Sequence, residues 1–216
     1  ADGALDFAGA DASGALSLTS TGGALSATGS LSGGGDTSIE APLGIDIAAL
    51  SSGGTTQLLA VSGPLAIAEL LSSGLVTAVA QSIDIASSGA LDFADAEATA
   101  GNIQIETTGD LDAASVDATG TVRLASTGGA VHTVGAVTGA GIIVEAAGDV
   151  TADAGLTSSA ALAVTAGGAF ELNANATGTS IAVASSDVRL GSGAQLGTRG
   201  TTQTILLTNN APANPT

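Results

Sequence analysis

Asp92, Asp112 and His132, the single histidine of this 216-residue chain, follow one another at intervals of 20 residues. If the chain coils with that period, the three side chains form an outward row, one turn apart. Carboxylates stacked in this way raise each other's pKa or share a hard cation such as Ca²⁺. A neighbouring imidazole adds a group that titrates near neutrality. Asp92 and Asp112 are therefore the candidate Ca²⁺ ligands, and Ca²⁺ is the one cofactor the sequence suggests. The surroundings argue against catalysis. A polysaccharide-cleaving site of this type needs a basic residue or a full Ca²⁺ cage in a groove walled by long loops. Here the nearest cation, Arg123, falls on another side, and the loops are minimal. The expected state is a solvated face on which Asp112 and His132 form a weak exposed pair, in a protein that is not an enzyme.

Other signals are weaker still. Gly33-Gly34-Gly35-Asp36 matches one piece of a Ca²⁺-binding nonapeptide but does not recur. No Gly-x-Ser-x-Gly elbow is present, so a Ser-His-Asp triad would rest on His132 alone. Regular Thr-x-Thr rows and a Cys/His metal cluster are both missing.

The elements that would position these residues are read from periodicity. Apolar residues recur at Leu5, Leu25, Ile45, Leu65, Leu91, Leu111, Val131, Val150, Phe170 and Val188. A parallel series runs Leu18, Ile39, Leu59, Ile85, Ile105, Leu124, Val144, Val164 and Val183. Both step by roughly 20 residues, with one long step of about 26 at the same place, and a repeat of that length signals a solenoid. Between Asn102 and Gly120 one unit holds short apolar–polar–apolar runs separated by Gly, Ser, Thr and Asp, the pattern of short strands and corners. A third column follows at Val116, Val137, Leu156, Ala176 and Leu196. Three strands per unit predict an all-β, single-stranded, right-handed parallel β-helix of triangular section. About ten turns at a spacing of about 4.8 Å give a rod on the order of 50 Å long. A left-handed hexapeptide helix would use shorter turns.

The predicted domain spans residues 1–200, with a last strand and a proline-containing tail over 201–216. The extra six residues predict a corner insertion near 68–80 that forms a short helical turn. Its Leu70, Leu71, Leu75 and Val76 are the candidate partner contacts. An apolar strip at Ile143, Ala163 and Ala182 adds a surface for self-association, beside a polar row of Asp84, Gln104 and Arg123. The start resembles a cut end rather than a capped one, which predicts that the natural chain continues upstream.

Composition narrows the function. The formal charge is −17, from 20 acidic residues against three arginines and no lysine. Nucleic acid, which needs cations to neutralise phosphate, is excluded as a partner. So are lysine-dependent chemistries. No apolar run reaches the length of a membrane span, which predicts no membrane insertion. With three Phe and no Trp, Tyr, Met or Cys, the core must be narrow and filled with small aliphatic side chains. Absent aromatics also argue against sugar stacking.

The stretches Gly101-Asn102-Ile103-Gln104-Ile105-Glu106-Thr107-Thr108-Gly109-Asp110-Leu111-Asp112-Ala113 and Ala161-Leu162-Ala163-Val164-Thr165-Ala166-Gly167-Gly168-Ala169-Phe170-Glu171-Leu172 resemble repeats of filamentous-haemagglutinin-like adhesins. Those exoproteins of Gram-negative bacteria leave the cell by two-partner secretion. The resemblance covers most of residues 1–200. It implies a β-helical shaft, extracellular or at the cell surface, that holds a binding region away from the cell. The partners would be a host or bacterial cell surface, met through a glycan or protein receptor by other parts of the full chain. Alternative readings are a polysaccharide-binding or polysaccharide-cleaving β-helix and a surface-layer or biofilm-matrix building block.

Overall fold

A computed structural model describes residues 2–198 and 204–209. Among them are 26 strands and no helix. Every strand pairing is parallel, and each strand pairs with its counterpart about one turn along the chain, so the fold is a parallel β-solenoid. Three ladders of inward side chains define three faces, A, B and C. Face A stacks Leu5, Leu25, Ile45, Leu65, Ile83, Ile103, Val122, Ile142, Leu162, Ile181 and Ile205 without interruption. Face C runs Leu18, Ile39, Leu58, Ala78, Ala96, Val116, Val137, Leu156, Ala176 and Leu196. Face B falls into two stretches: Ala10, Leu31, Leu50, Leu70, and then Leu91, Leu111, Val131, Val150, Phe170, Val188.

These ladders correct the predicted alignment. Leu65 stacks on Ile83, 18 residues on, rather than on Leu91. Leu58 points inward at 2 % exposure, and Leu59 points outward. Each apolar series read from the sequence therefore crosses from one face to another near residue 65. The predicted six-residue excess is that crossing. Residues 68–80 form no insertion and no helical turn: Ala68 and Glu69 bend between strands Thr56–Ile67 and Leu70–Ser72, and the rest lie in Leu70–Ser72, Val76–Ser87 and the short corner between them.

The crossing has a physical cause. In the first turns the chain runs from face A to face B in one strand, as in Leu25–Gly33 and Ile45–Ser52, and turns its glycine-rich corner between B and C. From Ser87 onward the glycine-rich corner lies between A and B, and the passage from B to C is short. The Ser-Gly corner is the most conspicuous local signal, and it changes sides while the apolar columns stay in place.

Burial along the columns supplies the stability. Inward residues from Leu25 to Val183 are almost wholly buried, with Phe93 and Phe170 the largest. Each buried Leu, Ile, Val or Phe side chain among them is worth about 1.5–3 kcal/mol relative to exposure. Corners are closed by polar groups. The carboxylate or amide oxygens of Asp36, Asn102, Asp110 and Asp149 accept hydrogen bonds at 2.7–2.8 Å from the backbone N–H of Thr55, Thr121, Ala130 and Ala169 in the following turn. Buried hydroxyls do the same from inside: Ser126 Oγ donates to the Gly109 carbonyl at 2.6 Å and accepts from Gly129 N–H at 2.8 Å. Backbone groups that would otherwise be orphaned at each bend are thereby satisfied. Some corners also admit no side chain. A Cβ at Gly135 would overlap the Ala114 carbonyl oxygen of the turn below.

Replacing Ile105, buried in the face A column, with Asp is expected to cost at least about 4 kcal/mol. Gln104→Ala, at the adjacent outward position, is expected to change stability by less than about 0.5 kcal/mol. Gly135→Ala should cost about 2 kcal/mol through the carbonyl overlap. Chemical denaturation of the three variants checks all of these, and equal midpoints for the two residue-104 and residue-105 variants would contradict the register.

Candidate functional site

The row expected on face B is present. Asp92 lies opposite Asp112, and Asp112 opposite His132, in adjacent strands. Strand alternation turns Leu91, Leu111 and Val131 into the core and the neighbouring polar residues outward. The structure adds a partner that periodicity did not reveal. His132 Nδ1 lies 3.0 Å from Asp112 Oδ1, and Nε2 lies 2.8 Å from Asp153 Oδ2. Asp153 sits past the end of the next strand, Val150–Ala152, where the chain bends, so it falls outside any ladder counted from strands. It also accepts from Asn173 Nδ2 at 2.9 Å. Asn173 donates to Glu171 as well, at 3.2 Å.

A neutral imidazole donates from one nitrogen, whereas this ring has a carboxylate at both, so the geometry fits the imidazolium. The bond to Asp153 chiefly, with that to Asp112, raises the His132 pKa above its ordinary value against the opposing effect of burial. Asp153 is lowered, first by Asn173 and then by His132. The result is a polar seam across consecutive turns. Its face is open, and the histidine is already held between two acceptors. Among the described residues, no group of three or more His, Cys, Asp or Glu side chains is arranged to hold a metal ion.

On face A the expected outward row Asp84, Gln104, Arg123, Ile143, Ala163, Ala182 is in register, but its polar contacts differ from the prediction. Gln104 Nε2 reaches Asp84 Oδ1 at 3.4 Å. Arg123 turns aside to bridge Glu106 at 2.9 Å and Glu145 at 2.7 Å. Ala125 lies between those glutamates in the ladder. It is only 2 % exposed despite facing outward, as expected for a small residue beneath a long guanidinium side chain. With all three charged groups partly exposed, each pair contributes about 1 kcal/mol or less. Beyond them the surface turns apolar through Ile143, Ala163 and Ala182 to the exposed Leu206.

The four partner-contact candidates divide. Leu70 and Val76 are fully buried members of the inward columns, which corrects their assignment to a surface knob. Leu71 and Leu75 are exposed. Alternation explains the division: an apolar outward residue cannot be told from an inward one until the register is known.

The described residues define a parallel β-solenoid whose surface carries polar seams. Comparison with family models, with curated proteins and with solved structures finds no match to this chain.

The folded pKa of His132 is raised, so its stabilising contribution is complete below the unfolded value near 6.5 and is lost as pH rises through the folded value. The stability difference between wild type and His132→Gln is therefore expected to be larger at pH 5.5 than at pH 8.5. Thermal melts at the two pH values measure it. An equal difference at both would show that the two carboxylates do not hold the proton.

Proposed function

We propose that this chain is a structural shaft segment of a large secreted bacterial surface adhesin or filament. The observation that carries this reading is the uninterrupted face A ladder, in which each strand from Leu5–Phe7 to Thr204–Asn209 pairs with the next turn. A stack of that kind resists bending because every turn is bonded to both neighbours. Its stability is the sum of many nearest-neighbour interfaces. Its rod, on the order of 50 Å long, is suited to holding another region at a distance. The resemblance of the repeats to filamentous-haemagglutinin-like adhesins supports the same reading. On this reading the protein lies outside a Gram-negative cell, with receptor contacts made by other parts of the full chain. The charge of −17 fits a role in which solubility and long-range repulsion keep neighbouring rods apart.

A polysaccharide-cleaving solenoid is the second reading, favoured by the Asp92–Asp112–His132 row alone. It assigns the carboxylates to substrate activation, whereas the shaft reading makes them a surface seam.

Held at both ends in an optical trap, the chain is expected to bear load and release turns singly. Each release should add about 70 Å of contour, the extended length of roughly 20 residues. Featureless extension at low force would overturn the shaft reading. A lyase assay on acidic polysaccharides with Ca²⁺ is expected to show no turnover by wild type or by Asp112→Ala. Turnover by wild type that is lost in the variant would establish the second reading instead.

A further inference from the structure

At one level of the solenoid the three faces are joined unequally. Face A passes in register from residues 65–67 to residues 83–85, and face C from residues 77–80 to residues 95–98. On face B the succession fails. Strand Leu70–Ser72 pairs with the turn below through residues 50–52, and among the described residues no strand of the turn above is in register with it. The corner 88–90 lies over it instead. Strand Leu91–Ala98 begins beside the corner 73–75 and meets the turn below only from Phe93, opposite Val76, onward. This is the place where the glycine-rich corner changes sides.

Alternation identifies the groups that face the gap. The Glu69 carbonyl accepts from Leu50 N–H, and Ser73 N–H donates to the Ser52 carbonyl. Residues 69, 71 and 73 therefore bond to the turn below. The N–H and C=O groups of Leu70 and Ser72 point to the turn above, where no strand meets them. Side chains close the gap only in part. Ser88 N–H and Oγ donate to Glu69 Oε1 at 2.9 and 2.7 Å, and a Cβ at Gly89 would sit 3.4 Å from Leu71 Cδ2. A cleft of about 220 Å³ remains between residues 72–74 and 90–92. Two bonds to a partly exposed carboxylate thus stand where every other level of face B has a backbone ladder. In a stack whose stability is a sum of nearest-neighbour interfaces, the interface with the fewest bonds opens first.

We propose that this level is a yield point built into the solenoid: face B parts locally between Leu70–Ser72 and the corner 88–90 while faces A and C stay paired, and the Glu69–Ser88 bonds resist the opening. With two faces intact, such an opening bends the rod without severing it. The inference rests on the register of the solenoid and not on the shaft reading, which supplies only a use for it, as the place where a long rod gives under a sideways load. The step that mimics an insertion in the sequence is thereby the compliant part of the fold.

Amide hydrogen exchange, followed by NMR on ¹⁵N-labelled protein, tests the proposal. Protection factors at Leu70 and Ser72 are expected to be at least about tenfold below those at Leu50 and Ser52, their counterparts in the turn below. Glu69→Ala, which removes the acceptor for both Ser88 donors and leaves the core intact, is expected to lower protection at Leu70 and Ser72 by a further factor of about three. Ile83 on face A and Ala96 on face C should keep their wild-type values in that variant. Protection at Leu70 and Ser72 equal to that at Leu50 and Ser52, an unchanged pattern in Glu69→Ala, or a loss spread equally over all three faces would each overturn it.

Discussion

Parallel stacking requires the backbone N–H and C=O groups of each turn to meet those of its neighbours at a spacing of about 4.8 Å. Side chains cannot relax that requirement, because an unpaired buried backbone group costs as much as a lost hydrogen bond. Each residue is thereby placed directly over a counterpart, so the core must be built of columns. The Leu, Ile and Val columns of face A and the smaller Ala and Val residues of face C are its direct expression. Aromatics are rare because a column of wide rings would force the faces apart. Phe93 and Phe170 are accommodated where a smaller residue, Ala113 or Val150, lies in the neighbouring turn.

The same constraint explains why so much of the chemistry-bearing composition is architectural. Asp36, Asp110 and Asp149 spend a carboxylate oxygen on the amide of the following turn. Glu69 closes a corner at Ser88, and those bonds hold its pKa below the ordinary value. Glu106 and Glu145 share one guanidinium, and His132 is held by Asp112 and Asp153. Acidic residues that look from composition like a cation-binding surface are in large part tied to backbone or to the few positive groups. Others, among them Asp46, Asp92 and Asp117, lie on outward positions of the strands without such a tie.

Most of the architecture was legible in the residues. Period, strand class, parallel pairing, the third column at Val116–Val137–Leu156, and the outward alignment of Asp92, Asp112 and His132 all follow from alternation repeated at constant length. Three features were not. Leu58 and Leu59 are equally apolar, so the inward one is decided by the partner strand rather than by its own neighbours. Asp153 reaches His132 from a bend, where no periodic rule places a side chain. The shift of the Ser-Gly corner from the B–C bend to the A–B bend mimics a six-residue insertion, because corners are the loudest local signal while columns are the conserved physical object.

By itself the sequence determined that this chain coils into stacked parallel turns with a narrow aliphatic core and a strongly anionic surface. These properties depend on the identities and spacing of residues, which repeat. Tertiary structure alone decided which turn meets which across residues 65–93. It also decided that Leu70 and Val76 are core while Leu71 and Leu75 are surface. The reason is physical: register is a relation between two strands, and a strand's own alternation is compatible with more than one neighbour until the backbone hydrogen bonds select one.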